Sequence, residues 1–333
     1  MGKRTVDLRG QKPLLDVVSY GRRTPGHGRT FTASERAQIG RTVTRVPEVM
    51  IKVTGGGQSV GAVWRHLRYI DRRGGLELET DDGERLQVKG AEKALLEDWG
   101  LALQEREDKV IYNGLPGRKP VKLVHNLMFS MPKGTPPKKL LAAVRHFAQE
   151  TFALQHRYAM VLHTDQDHPH VHLVLKAVSE KGARLNIRKE TLRQWRRDFA
   201  EALRAQGVAA NATERAVRGA SRTYQKDGIY RAMRRGCSTH LEAQVQSVAN
   251  ELRNGRHVNP GGGKEKLLRT RRDVKQGWTS ISELLHHDGD VDLAYRVRNF
   301  VGKMPPAYVD REWIAADIIE RLRRSTQDRP RTP

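Results

Sequence analysis

Two short apolar runs joined by a histidine-rich loop, residues 158–163 and 170–178, constrain this chain more than any other feature. Both are rich in aliphatic and β-branched residues, which favours strands. The six residues between them, Thr164-Asp165-Gln166-Asp167-His168-Pro169, have the length and chemistry of a loop that returns the second strand antiparallel beside the first. Side chains alternate along a strand, so His170 and His172 share one face while Val171, Leu173 and Leu175 take the other. His163 ends the neighbouring run, and three imidazoles can then converge.

The flanking pattern extends this pair into a layered domain. A β-branched run at 49–54 stops at Gly55-Gly56-Gly57 and leads into a helix over 59–72. Residues 76–86 read as a hairpin about Asp82-Gly83, where glycine supplies the positive φ of a tight turn. A helix at 91–104, a strand at 122–131 and a helix opening near Pro136-Pro137 follow. A last helix at 188–206 carries Leu192, Trp195, Phe199 and Leu203 at helical spacing. Strands interleaved with helices and joined partly by hairpins predict an α+β domain with an antiparallel sheet, placed at 46–215.

Outside that domain the composition changes. Residues 1–45 hold ten Lys or Arg against three acids and read as a flexible basic arm. Residues 216–263 read as a basic linker and DNA-contact segment ending in Gly261-Gly262-Gly263, and the apolar spacing over 264–333 predicts a small all-helical C-terminal module. Over the whole chain 61 Lys plus Arg face 38 Asp plus Glu, a formal charge of +23. Such an excess favours a polyanionic partner, because each neutralised phosphate releases condensed counterions. No apolar run is long enough to span a bilayer and the N-terminus lacks an apolar signal core, so no membrane insertion and a cytoplasmic setting are expected. The single cysteine, Cys237, allows neither an internal disulfide nor a cysteine metal site.

Three neutral histidines form a divalent-metal site that leaves coordination positions open, as a Lewis acid acting on a substrate oxygen requires. Asp165 and Asp167 are placed to accept the free ring N–H groups of His163, His170 or His172 and so fix their tautomers. His168, before a proline, is expected to face solvent. The competing reading is a set of surface histidines on a polar strand face.

A metal held this way could serve hydrolysis, redox chemistry or phosphoryl transfer, and the helix at 59–72 supplies what decides among them. Val60, Val63, Trp64, Leu67 and Ile70 form its apolar stripe, and Tyr69 lies nearly opposite. Arg65, His66, Arg72 and Arg73 surround the tyrosine one turn away, a face suited to DNA phosphates and to a phenolate. A phenol is a weak nucleophile while protonated, but a nearby cation and a metal on the phosphate both favour its attack. The product is a 5′-phosphotyrosyl ester made at the expense of another ester, so rejoining needs no ATP, and the chain has no Walker loop.

At these segments the chain resembles the relaxase and mobilisation nuclease family of the MobA/VirD type, a branch of the HUH endonucleases. The likeness lies in Tyr69-Ile70 on a helix after Gly55-Gly56-Gly57, followed by His163-Thr-Asp-x-x-His-Pro-His-Val-His172. The resemblance implies a palm-like fold about an antiparallel sheet of about five strands, with Tyr69 as nucleophile and His163, His170 and His172 as ligands of one Mg or Mn ion. It further implies site-specific nicking of single-stranded or supercoiled origin-of-transfer DNA, with accessory mobilisation proteins and a coupling ATPase as partners. Asn186, Arg188 and Lys189, opening the helix at 188–206, are also familiar from such proteins, and helix N-termini bind phosphate. Arg218 and Arg222 complete the expected DNA contacts. Two alternatives remain open: a rolling-circle initiator or single-strand transposase with the same chemistry, or a non-enzymatic DNA-binding accessory protein.

Overall fold

A computed structural model describes residues 17, 30–87, 89–112, 121–221 and 239–327. These fall into two units, one spanning residues 45–212 and the other combining the described part of 12–44 with that of 213–333.

The first unit is built on β1 (Met50–Gly55), β2 (Leu78–Thr80), β3 (Arg85–Leu86), β4 (Val124–Ser130), β5 (Tyr158–His163) and β6 (His170–Lys176). They form one sheet in the order β1-β4-β6-β5-β2-β3, with every neighbouring pair antiparallel. The sheet thus has six strands rather than about five; the extra one is the two-residue β3, pairing β2 across the predicted hairpin. Register places His163 opposite His170, and His172 opposite Val161 on one side and Met128 on the other. The expected helix at 91–104 is two helices, α3 (Ala91–Asp98) and α4 (Leu101–Tyr112). Gly100, at φ 60°, breaks the path after Trp99, a conformation that glycine adopts without steric cost.

Alternation along the strands divides the apolar residues between two layers. Ile51, Leu127, Phe129, Met160, Val171, Leu173 and Leu175 pack under α5 (Pro137–Phe152) and α6 (Lys189–Ala205). Phe129, Phe147, Phe199 and Trp195 interlock there with ring centroids 5.1–6.4 Å apart, geometries each worth about 0.5–1.5 kcal/mol beyond burial. On the other face Val124, Ala159, Val161 and Val174 meet Val63, Leu67 and Ile70 of α2 (Val60–Ile70), together with Leu95, Leu96 and Trp99 from α3 and its C-cap. The three histidines share that second face with Val161, so the metal-ligand candidates and the helix bearing Tyr69 lie on the same side of the sheet.

The second unit is all-helical among the described residues: α1 (Ala33–Val43), α7 (Thr239–Arg253), α8 (Lys264–His287), α9 (Val291–Gly302) and α10 (Asp310–Gln327). Its core gathers Phe31, Ile39, Val274, Trp278, Ile281, Leu285, Val297 and Phe300. Residues 33–43, expected to belong to a flexible arm, instead form α1. Thr32 and Glu35 make a capping box, and Arg36 reaches Asp288 at 2.9 Å and Asp290 at 3.0 Å. The remainder of the expected arm, apart from Val17 and residues 30–32, 44 and 45, lies outside the described residues. The helical module expected over 264–333 is present, and on α10 Leu322 is 62% exposed.

Candidate active site

Helix α2 is set against the sheet from its first turn. The Ser59 hydroxyl accepts from the Ala62 N–H at 3.3 Å and Glu105 of α4 accepts from the Val60 N–H at 2.8 Å, so two of the orphan donors at the helix start are met. The glycines before it permit close approach: a Cβ on Gly56 would lie 2.4 Å from the Val124 carbonyl oxygen, and one on Gly57 2.4 Å from Val63 Cγ2. From there the helix crosses the sheet with Val63, Leu67 and Ile70 buried, and Tyr69 is 58% exposed. Buried Asp71 caps the far end, its carboxylate accepting from the Arg73 N–H at 2.8 Å. Arg72 and Arg73 follow with φ of 56° and 61°, consecutive left-handed residues in which glycine would be less strained.

The end of α2 meets the end of β5. His163, 2% exposed, donates Nε2–H to the Ile70 carbonyl oxygen at 2.6 Å, which leaves Nδ1 as the acceptor nitrogen, 3.4 Å from the Arg72 guanidinium. His170, 6% exposed, donates Nδ1–H to the His168 carbonyl at 3.1 Å and keeps its Nε2 lone pair. Nδ1 of His172 is buried and has no hydrogen-bond partner among the described residues. One nitrogen from each ring lies within 4.8 Å of the others, and the ring centroids stand 4.7–5.1 Å apart. Burial lowers the pKa of His163, and burial followed by the neighbouring histidines takes His172 down to about 3. Converging imidazole nitrogens of this kind fit a divalent cation, for which a ring nitrogen lone pair is the required donor.

The carboxylates do not occupy the expected positions. The ring N–H groups of His163 and His170 go to main-chain carbonyls, whereas Asp165 pairs with Arg72 at 2.6 Å and stands 3.9 Å from His163 Nδ1. Asp167 pairs with Lys133 at 3.4 Å on the surface. Both sit on the exposed loop that joins the ends of β5 and β6, whereas the rings of His163 and His170 are buried. His168 is exposed, as expected, and its Nδ1 accepts the Lys133 N–H at 3.0 Å.

Around Tyr69 the helix supplies further groups. The His66 ring lies 6.4 Å from that of Tyr69 and 6.4 Å from that of His172, and burial lowers its pKa. The Arg72 guanidinium lies 5.4 Å from the centre of the Tyr69 ring and 3.4 Å from His163 Nδ1. Arg65 and Arg73 are exposed on the same helix and turn. Asn186, Arg188 and Lys189 are exposed too, but they follow the hairpin after β6 in which Val178 pairs with Arg184, and no contact links them to the three histidines among the described residues. Arg218 belongs to the second unit, and Arg222 lies outside the described residues. Sequence reasoning missed the Ile70 and His168 carbonyls and Glu105; main-chain acceptors and a carboxylate 45 residues from its partner leave no local signal.

The first unit thus sets a three-histidine cluster and a helix with an exposed tyrosine on one face of an antiparallel sheet. Residues 83–208 match the family described as relaxase, MobA/VirD2-like, nuclease domain, so this segment is similar to the relaxase nuclease domains of the MobA/VirD type. That match includes the histidines and begins after Tyr69. Among curated proteins, the T-DNA border endonuclease VirD2 of Agrobacterium fabrum is 21% identical over 81% of this chain and 66% of its own length. The protein of the same name from Rhizobium rhizogenes is 24% identical over 61% of this chain and 47% of its own. The chain thus spans between about half and two thirds of the length of these relatives. A solved structure from work on the "Molecular Basis of Vancomycin Resistance Transfer in Staphylococcus aureus" aligns with a TM-score of 0.31 and 12% identity, covering 51% of this chain and 99% of that one.

Proposed function

We propose that this chain is a metal-dependent DNA relaxase that nicks and rejoins one strand at an origin of transfer on a plasmid or integrative element. The single observation that carries the reading is the convergence of His163, His170 and His172 at the end of the helix that exposes Tyr69. The histidines would hold one divalent ion, Mg or Mn, whose charge would polarise the scissile phosphate and stabilise the departing oxygen.

Tyr69 attacks phosphorus through its phenolic oxygen. A phosphorus–oxygen bond to the tyrosine forms as the bond to the 3′ oxygen breaks; the phenol gives up its proton and the 3′ oxygen takes one up. Because one phosphodiester replaces another, the reverse attack by a 3′ hydroxyl rejoins the strand without a consumed cofactor. His163 anchors the helix end through Ile70, and Arg65, His66, Arg72 and Arg73 line the approach for the DNA backbone. The +23 charge supplies the sequence-independent part of the affinity, to which Asn186, Arg188, Lys189, Arg218 and Arg222 are assigned. Accessory mobilisation proteins and a coupling ATPase are the partners this activity calls for, and a cytoplasmic setting follows from it.

The test is incubation with supercoiled origin DNA and Mg²⁺ or Mn²⁺. The reading requires a nicked circle bearing protein on its 5′ end; DNA that is bound and stays covalently closed would instead mark a non-enzymatic binding protein.

A further inference from the structure

We propose that Arg72 is the side chain that grips the scissile phosphate, and that Asp165 is the carboxylate holding it ready until the phosphate takes its place. The proposal rests on the strand-transfer reading above and assigns one cation to the reacting group.

Three contacts place it. The guanidinium NH2 lies 2.6 Å from Asp165 Oδ2 and 3.4 Å from His163 Nδ1, and its carbon lies 5.4 Å from the centre of the Tyr69 ring. A phosphodiester attacked by Tyr69 while bound at the histidine centre must lie between that phenol and those rings, the space this guanidinium spans. A phosphodiester offers two non-bridging oxygens in the same forked geometry as a carboxylate, so it can replace Asp165 without leaving the guanidinium unpaired. The Asp165 pair is cheap to break, since 53% of the Asp165 side chain and 38% of the Arg72 side chain are exposed.

The backbone of the turn does not by itself distinguish this position. At φ 56° position 72 would accommodate glycine with less strain, and Gly74 in the same turn, at φ 82°, is a glycine. Arg73, at φ 61°, shares that backbone, so it is the contacts with Asp165, His163 and Tyr69 that single out Arg72. Asp167 provides an internal comparison: it lies on the same loop as Asp165 but pairs with Lys133.

The experiment is a double-mutant cycle on the full chain with Mn²⁺ present, read by fluorescence anisotropy of a labelled oligothymidylate of about twenty nucleotides. R72G is expected to weaken binding about tenfold, and D165N to tighten it about fivefold more than D167N does, only while Arg72 is present. In the R72G background D165N is expected to have the same small effect as D167N. Equal effects of D165N in both backgrounds, or an effect no larger than that of D167N, overturn the proposal. R72K repeats the cycle if R72G does not fold, with an intermediate loss expected because the forked geometry is gone. Anisotropy requires no bond to break, so the result stands apart from whether Tyr69 forms an adduct.

Discussion

The ring of His163 and the carbonyl of Ile70 share a hydrogen bond of 2.6 Å, so the candidate metal centre is fastened to the residue next to the candidate nucleophile. Through it β5 fixes the end of α2, and His66 stands between the exposed Tyr69 ring and that of His172, 6.4 Å from each. Displacing this end of the helix moves both parts of the chemistry at once.

Replacing Gly56 with Ala tests that coupling from the far end of the helix. Its Cβ would meet the Val124 carbonyl oxygen at 2.4 Å, backbone that cannot yield cheaply. Unfolding by urea should show a loss of about 1–3 kcal/mol, and adduct formation should fall further than DNA affinity because α2 is displaced.

Metal affinity should depend on the inward rings and not on the loop. Titration calorimetry with Mn²⁺ is expected to show a loss of at least about 100-fold for His170→Ala, and a change under about threefold for His168→Ala or Asp167→Asn. Equal losses at His168 and His170 would place the ion elsewhere.

The DNA contacts should appear as salt dependence. Arg65→Ala and Arg73→Ala are each expected to lower the slope of log affinity against log salt by about one without changing sequence preference. An unchanged slope in both would remove these side chains from the DNA path.

Stability should fall on mild acidification. Burial, helped by Lys122, takes the His125 pKa down to about 4, and burial takes that of His172 down to about 3, against 6.5 for a free histidine. Below 6.5 the unfolded chain therefore binds protons that the folded chain refuses. Stability is full above that pH and is lost as the pH falls toward about 4. Urea midpoints at about pH 7.5 and about pH 5 should differ in that sense, and His125→Gln should shrink the difference.

How much of this was legible in the sequence depended on whether the signal was local. The alternation His170-Val171-His172-Leu173 and the loop before it gave the strand pair and its face, because period-two patterning acts residue by residue. The exposure of Tyr69 followed in the same way from its place opposite the Val63, Leu67 and Ile70 stripe. The partners of the ring N–H groups did not follow. Asp165 and Asp167 have the right chemistry and proximity, but which acceptor a ring meets depends on how α2 docks, and main-chain carbonyls carry no sequence mark. The basic character of residues 1–45 likewise concealed α1, whose order depends on Ile39 packing with Trp278 and Phe300 and on Arg36 meeting Asp288, contacts more than two hundred residues away in sequence.

The claim that everything else serves is that Tyr69 is the residue joined to DNA. The chain should be reacted with an origin oligonucleotide that traps the covalent intermediate, digested, and the nucleotide-bearing peptide sequenced by mass spectrometry. The modification is expected on Tyr69, with Tyr69→Phe giving no adduct and DNA affinity within about threefold of the parent. An adduct carried by another tyrosine such as Tyr158, or one that persists in Tyr69→Phe, would contradict the account.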